Sequence, residues 1–494
     1  MIKKGFFNFV GKGINSLVNI ILTPFLLDNL GLEKYGIIAL YLLILSIFLA
    51  FEMGLGTSLI KRVSVESNQD ISTLKNTIFT YETIYLSLGF ISFLVIVLLN
   101  FLNLEVFKSI SFFEHLIFGL LILTQFLIIV YNSILHGLGQ QIYLNKIGIV
   151  IGITKGLLIL VVFKLHHATL ISYFMILLSM NILSMLLFKK QVENDQSLKF
   201  FRLPKFDLAI FLSDVKINKG LAMNSLISAF TSQIDKIIIT SFIGIKELGL
   251  YQIGITLTSF IWTIIQPFNQ TIVPYISQRV HSNLSKQKTL DLTNFLSKFT
   301  TFIMTPIIAW LIINVDEVLN YWIGNLDTDN SKLINITTIF LIIGSYLNVI
   351  CTVPGTFLIV NEWMDILKKV NSFQIFFGIP ITLLLSYNHG LIGAGLASLI
   401  NNLIYSMYLV PQVFKRQQIH NYTYWSLQIF IIPSLLLIFF SLILKNLLSN
   451  FIISHSFSQW GLIQVLVIVS LYSITLLYFK ELRQYIFKYI KNYN

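Results

Sequence analysis

Cysteine is almost absent from this chain and charge is scarce, and both shortages narrow what it can be. A lone Cys351 excludes an intrachain disulfide, an iron–sulfur cluster and a cysteine-based zinc site. Asp, Glu, Lys and Arg make up only 11% of the 494 residues, against ~25% in soluble domains. Catalytic signatures are missing as well. There is no glycine-rich phosphate loop followed by Lys and Ser/Thr, no His/Glu metal pair at i, i+4 and no nucleophile elbow. Neither enzymatic activity nor a cofactor is expected.

What the chain does contain is apolar sequence, 55% of it, in long runs. Windows of about 20 apolar residues are what a hydrocarbon layer ~30 Å thick requires of a helix. Fourteen such windows are read, at 6–28, 37–59, 77–99, 115–135, 147–163, 168–188, 220–243, 250–275, 296–314, 332–353, 367–386, 390–411, 425–444 and 460–479. The expected fold is therefore all-α, a polytopic membrane protein. Its parts are a six-helix bundle over 1–188, a cytoplasmic linker over 189–219, a second six-helix bundle over 220–416, and two further helices with a basic tail over 417–494. Within the linker, "FDLAIFLSDVKI" could also form an interfacial amphipathic helix. The opening "MIKKGFFNFVGKGINSLVN" turns polar after its basic flank, without a small-residue cleavage pattern, and reads as a retained first span.

Orientation follows from Lys and Arg, because short basic loops resist translocation. Of the 34 basic residues, 25 fall on the side that carries both termini, 6 on the other and 3 inside spans. Both termini are expected to be cytoplasmic. The net charge of +12 follows these loops and forms no basic domain, so anionic lipid headgroups, not nucleic acid, are its expected partners.

The two bundles echo one another. "LGLEKYG" after the first helix returns as "IGIKELG" after the seventh, so Gly31 and Gly36 recur as Gly244 and Gly249 at an offset of 213 residues. Transporters built from such repeats place substrate where the repeats meet. Polar stripes mark the leading helices. Asn8, Lys12, Asn15, Asn19 and Thr23 occupy an arc of ~80° on the first span, and Gln252, Thr256, Ser259, Thr263, Gln266 and Gln270 repeat the pattern on the eighth. In "FTSQIDKIIITSF", Asp235 and Lys236 belong to a polar face of the seventh span. Such stripes serve either as interhelical hydrogen-bond seams or as the walls of a wet cavity.

Charges inside spans are expensive, ~2.5 to 3.5 kcal/mol each at a helix centre, so they must be paired, wet or functional. Two accounts fit the sequence. Lys12, Lys155 and Lys236 could pair internally with Asp235, Glu52 and Glu82, or the lysines could form a cationic site for phosphate.

Several stretches resemble the Wzx-type polysaccharide flippases of the multidrug/oligosaccharidyl-lipid/polysaccharide exporter superfamily. They are "TPFLLDNLGLEKYGI", "FEMGLGTSLIKR", "ILHGLGQ", "SQIDKIIITSFIGIKELGLYQIG" and "HGLIGAGLASLINN", spread from the N-terminus to about Arg416. Glu52 stands where the family usually has Asp, and many members have twelve helices, not fourteen. The resemblance implies a MATE-like pair of bundles in a bacterial inner membrane. It also implies transfer of an undecaprenyl-pyrophosphate-linked oligosaccharide, such as an O-antigen unit of lipopolysaccharide, from the cytoplasmic to the periplasmic leaflet. Lys12, Lys155 and Lys236 would contact pyrophosphate, while Asn15, Asn19, Gln252, Ser259, Gln266 and Gln270 would face sugars. Coupling to H+ or Na+ would fall to Asp235 and Glu52, with no metal site. The polysaccharide polymerase and chain-length proteins are the implied partners beyond the bilayer. The alternatives are a lipid II flippase, a multidrug cation antiporter of the same superfamily and, less well supported, a polymerase. The longest outside loop, about 315 to 331, is short for a polymerase.

Overall fold

The computed structural model describes residues 2–67, 71–102, 105–108, 110–165, 167–194, 205–281, 286–324, 326–418, 422–452 and 457–480. Every regular element among them is helical. Twelve helices are long and apolar enough to cross a membrane. One of these, Met364–Arg416, contains two limbs that meet at Gly390, where φ is 55°, and a shorter apolar helix, Ile463–Tyr478, follows. The fourteen expected spans thus compare with twelve helices of sufficient length and hydropathy among the described residues. Contacts divide the chain into two compact units, Met1–Ile253 and Gly254–Asn494.

The first unit begins with α1 (Ile2–Leu30), α2 (Leu32–Ala50), α3 (Leu55–Glu66), α4 (Ile71–Leu99), α5 (Phe112–Gly137), α6 (Gln141–Lys164) and α7 (Leu170–Asn194). It ends with α8 (Leu208–Ile238) and the start of α9 (Ile245–His281). Ser111 caps α5 in a capping box with Glu114, satisfying donors that no earlier turn can accept. Tyr41 of α2, Phe118 of α5 and Phe174 of α7 are buried together, with ring centroids 4.5–5.3 Å apart. Such aromatic contacts add ~0.5 to 1.5 kcal/mol each beyond area burial. They fasten the end of the bundle where α5 and α7 begin.

α6 presents Gly148, Gly152 and Gly156 at four-residue spacing, and α1 seats on them. A Cβ on Gly152 would overlap the Asn15 side-chain oxygen, and one on Gly156 would lie 3.0 Å from Val18 Cγ1. Small residues permit this close approach, and dispersion holds it where apolar solvent supplies no hydrophobic drive.

α8 starts at Leu208, well before residue 220, because the Asp207 side chain accepts hydrogen bonds from the backbone of Ala209 and Ile210. The expected linker thus becomes helical within "FDLAIFLSDVKI". Its first turns are clasped to α3 and α4. Arg62 grips Asp214 with two hydrogen bonds, Nε–Oδ2 at 2.6 Å and Nη2–Oδ1 at 2.9 Å, and reaches Ser213 Oγ at 2.8 Å. Tyr81 OH donates to the same carboxylate at 2.5 Å. Asp214 pushes the Arg62 pKa up through that hydrogen bond, so the pair stays charged.

The echoed glycines meet in space. A Cβ on Gly36 would overlap the carbonyl oxygen of Ile245, while one on Gly249 would lie 2.8 Å from the carbonyl oxygen of Leu32. Leu32 and Ile245 are themselves related by the 213-residue offset. The contact is therefore reciprocal, as in an isologous dimer interface, but made by one chain. Each of the two echoed turns thus requires a glycine of the other at its point of closest approach.

The second unit continues α9 and adds α10 (Lys286–Ile313), α11 (Val315–Ile323), α12 (Thr328–Ile350), α13 (Thr352–Val360), α14 (Met364–Phe373) and α15 (Ile379–Arg416). After these come α16 (Tyr422–Ser426), α17 (Ile432–Ile452) and α18 (Phe457–Tyr478). α12 packs along α15, where Asn348 donates to Asn402 at 2.5 Å and Gly395 abuts Thr337. The core of the unit gathers Ile276, Phe357, Phe414 and Phe430. α17 and α18 are fastened to α10 and α11. Lys445 pairs with Glu317 at 2.6 Å, Trp310 donates to Gln464 at 2.5 Å and Tyr472 donates to the Ile303 carbonyl at 2.7 Å.

Gly36→Val is expected to lower the melting temperature in detergent through an overpacking cost of ~1 to 3 kcal/mol. Gly13→Ala, whose Cβ meets nothing within 4 Å, should leave it unchanged or higher. Equal melting temperatures for both variants would refute the tight glycine seam. A double-mutant cycle on Arg62→Ala and Asp214→Asn should return a coupling of about 1 to 3 kcal/mol, and additive losses would show that the clasp contributes little.

Candidate functional site

The charges inside the first unit are partnered in an unexpected way. Glu52 accepts from the Gly56 backbone and from Tyr85 OH at 2.8 Å. Asp235 accepts from the Lys236 backbone at 2.8 Å and from Tyr251 OH at 2.5 Å. Glu82 is hydrogen-bonded by Tyr131. Each carboxylate is thus held by a phenol and, for Glu52 and Asp235, by one backbone N–H. A hydrogen bond to a charged group contributes ~1.5 to 3 kcal/mol, enough to hold an acid in a span without a cation.

The lysines are left over. Among the described residues, neither Lys155 nor Lys236 lies within salt-bridge distance of a carboxylate, although Asp235 acts on its neighbour Lys236 through space. Lys236 Nζ donates to Gln233 on its own helix at 2.9 Å. Lys155 has no hydrogen-bond partner among the described residues. Instead it lines a cavity of about 530 Å³ inside the first unit.

Five helices form that cavity. α1 contributes Asn15, α2 Tyr41, α5 Gln125, Asn132 and His136, α6 Asn145, Gly148, Gly152 and Lys155, and α7 Asn181 and Ser184. Asn15 arrives there because Gly152 lets α1 lie against α6, with its Nδ2 3.5 Å from the Gly148 carbonyl oxygen. Leu42, Leu45, Ile128, Ile151, Leu177 and Met180 supply apolar wall between these groups, and among the described residues no carboxylate belongs to the lining. Amides both donate and accept, so the walls suit hydroxyl-bearing ligands. Among the described residues no cluster of His, Cys, Asp or Glu could hold a metal ion.

Of the expected site residues, Asn15 and Lys155 come together in this cavity, whereas Lys236, Asn19, Asp235 and Glu52 lie outside its lining. Asn19 is exposed on α1, and Gln252 is half-buried on α9. In the second unit Ser259 donates to the Thr256 carbonyl of its own helix at 2.6 Å, and Gln266 is exposed. The side chains of Lys12 and Gln270 lie outside the described residues. Sequence reasoning missed Gln125, Asn132, His136, Asn145 and Asn181. A faint signal existed, since Gln125, Asn132 and His136 are spaced by seven and four, and Asn145, Gly148, Gly152 and Lys155 by three, four and three. Both sets keep one helical face.

The sequence profile of the polysaccharide biosynthesis proteins matches residues 1–280. A search of curated proteins finds no match. Among solved structures, the chain resembles the lipid II flippase MurJ in an inward closed conformation, with 16% identity and a TM-score of 0.72 over 98% of this chain and 100% of that one. It also resembles the MATE transporter VcmN of Vibrio cholerae, with 12% identity and a TM-score of 0.59 over 85% and 98% of the two chains. A multidrug resistance MATE family transporter of the MOP superfamily, inward-facing, gives 12% identity and a TM-score of 0.60 over 84% and 94%. With its profile match covering more than half its length and its fold shared with MurJ and the MATE transporters, the chain belongs to the polysaccharide biosynthesis protein family.

Proposed function

We propose that the protein is a flippase that carries a polyprenyl-pyrophosphate-linked oligosaccharide, an O-antigen or similar surface-polysaccharide unit, across a bacterial inner membrane. The observation that carries this reading is the ammonium of Lys155, without a counterion among the described residues, in a cavity walled by both amides and apolar side chains within the helical bundle. A glycan cannot cross hydrocarbon unaided, because each hydroxyl that sheds water without a new partner costs several kcal/mol. Asn15, Asn132, Asn145, Asn181 and Gln125 replace that water with amide groups. Family membership supports a role in polysaccharide synthesis, and the MurJ-like fold supports translocation over catalysis.

The internal duplication supports alternating access, with the two repeats moving against each other. Asp235 and Glu52 remain the candidates for ion coupling, each able to exchange a tyrosine partner for a proton or cation. Cytoplasmic termini and partnership with a polymerase and chain-length proteins complete the reading.

A lipid II flippase is the second reading, favoured by the likeness to MurJ along the whole chain. An exporter of cationic drugs fits less well, since the cavity holds an ammonium and no carboxylate.

Lys155→Ala should reduce surface polysaccharide by about 10-fold or more at equal protein level, the equivalent of losing ~1.5 to 3 kcal/mol of charge-assisted binding. Gln266→Ala, at an exposed position, should change export less than about twofold by the usual scale of surface substitutions. Normal export by Lys155→Ala would contradict the proposal. Loss of peptidoglycan synthesis with intact surface polysaccharide would favour the lipid II reading.

A further inference from the structure

In the second unit, uncommitted cations and exposed rings meet where α14 joins the end of α15. Arg416, the last residue of α15, pairs with Asp365 in the first turn of α14 and lies 5.7 Å from the centre of the Trp363 ring. Lys368 and Lys369 follow Asp365 by three and four residues, so they stand beside this pair on the α14 surface. Both are exposed, as is Lys415, and none of the three forms an ion pair among the described residues. Against these four cations stand only Asp365 and Glu362, so positive charge is in excess.

Aromatic rings begin one helical turn from Lys369. Phe373 and Phe377, the latter in the π-helical turn Gln374–Gly378, stack with centroids 5.7 Å apart and planes 13° from parallel. Tyr408 of α15 packs against Phe373 at 5.0 Å, and Phe376 stands edge-on to Phe377 at 5.2 Å. All three phenylalanines are exposed. Eight residues separate Asp365 from Phe373, and eight separate Tyr408 from Arg416. At ~1.5 Å per residue, both helices bring their rings to the same level, ~12 Å from the ion pair.

Any helix that faces hydrocarbon exposes apolar side chains. This one differs in that its rings form a stacked platform in line with ammonium groups that have no protein partner. A water-soluble anion would meet the lysines and leave the rings bare. An amphiphile covers both, its phosphate at the cations and a chain on the rings. Asp365 already occupies Arg416, so what α14 offers the ligand is separate single ammonium groups, which suit a singly charged phosphodiester. We infer that this corner of the second unit binds an anionic phospholipid, with Lys368 and Lys369 holding the phosphodiester and Phe373, Phe377 and Tyr408 carrying an acyl chain. The lipid then bridges α14 and α15 beside the ion pair that already joins them. The inference requires the helices to lie in a membrane and does not depend on the glycan substrate.

The test is native mass spectrometry of the purified full-length protein in neutral detergent, with melting temperatures recorded alongside. The ligands are phosphatidylglycerol, phosphatidylcholine of the same chains, glycerol 1-phosphate and geranylgeranyl pyrophosphate. The first phosphatidylglycerol to bind should do so about 10-fold or more tightly than phosphatidylcholine, the scale of two lysines at a lipid headgroup. That preference should vanish in the double variant Lys368→Gln/Lys369→Gln and persist in Lys368→Arg/Lys369→Arg. Phe377→Ala should weaken both phospholipids by a similar factor. Equal binding of the two phospholipids would overturn the inference, as would a preference retained by the glutamine variant at an unchanged melting temperature. So would displacement of phosphatidylglycerol by an equal concentration of glycerol 1-phosphate, since the rings would then contribute nothing. If geranylgeranyl pyrophosphate is the ligand that the two lysines favour, the corner belongs to the polyprenyl carrier and the phospholipid assignment fails.

Discussion

Phenol-to-carboxylate hydrogen bonding is the interaction that lets the first unit keep acids within its helices. Tyr85, Tyr251 and Tyr131 satisfy Glu52, Asp235 and Glu82, and Tyr81 does the same for Asp214 beside its arginine. A buried carboxylate would otherwise need a cation beside it. Lys155 lies in the cavity lining, which none of these acids joins. Phenols are well suited to holding the acids. They bring a donor on a rigid apolar ring, so the carboxylate is stabilised without importing a second charge into the bundle.

Glycine placement provides the second constraint. Gly152 brings α1 close enough to α6 for Asn15 to join the cavity wall, and the reciprocal Gly36 and Gly249 contacts bind α2 to the start of α9. Both are backbone approaches that any side chain would obstruct. Packing of this kind is brittle, since a methyl group in the wrong place separates two helices. It also defines one geometry, which a site built from five helices requires.

Much of the fold was legible because hydrophobic run length acts locally, along one helix at a time. The 213-residue echo was readable for the same reason, and the structure adds that the echoed glycines touch each other. The site was less legible. Asn15 and Lys155 could be seen as polar residues in apolar helices, but nothing in one dimension says that Asn15 meets Lys155 and not Lys236. Gln125 and Asn132 on α5 and Asn181 on α7 are scattered among mostly apolar residues, so these helices read as plain spans until packing turns both faces inward. The start of α8 was hidden by composition. "SDVKINKG" looks solvated, and only the distant Arg62 explains why its Asp belongs in a buried clasp.

The central claim is that the Lys155 ammonium, which has no carboxylate partner among the described residues, faces a cavity that takes up glycan. The most direct measurement is a high-resolution cryo-electron microscopy map of the full chain with lipid-linked glycan in nanodiscs. The account predicts glycan density within hydrogen-bond distance of Lys155 Nζ and the phenols still on Glu52 and Asp235. A map in which Lys155 is paired with one of those acids, in a closed and empty interior with the glycan bound elsewhere, would contradict it.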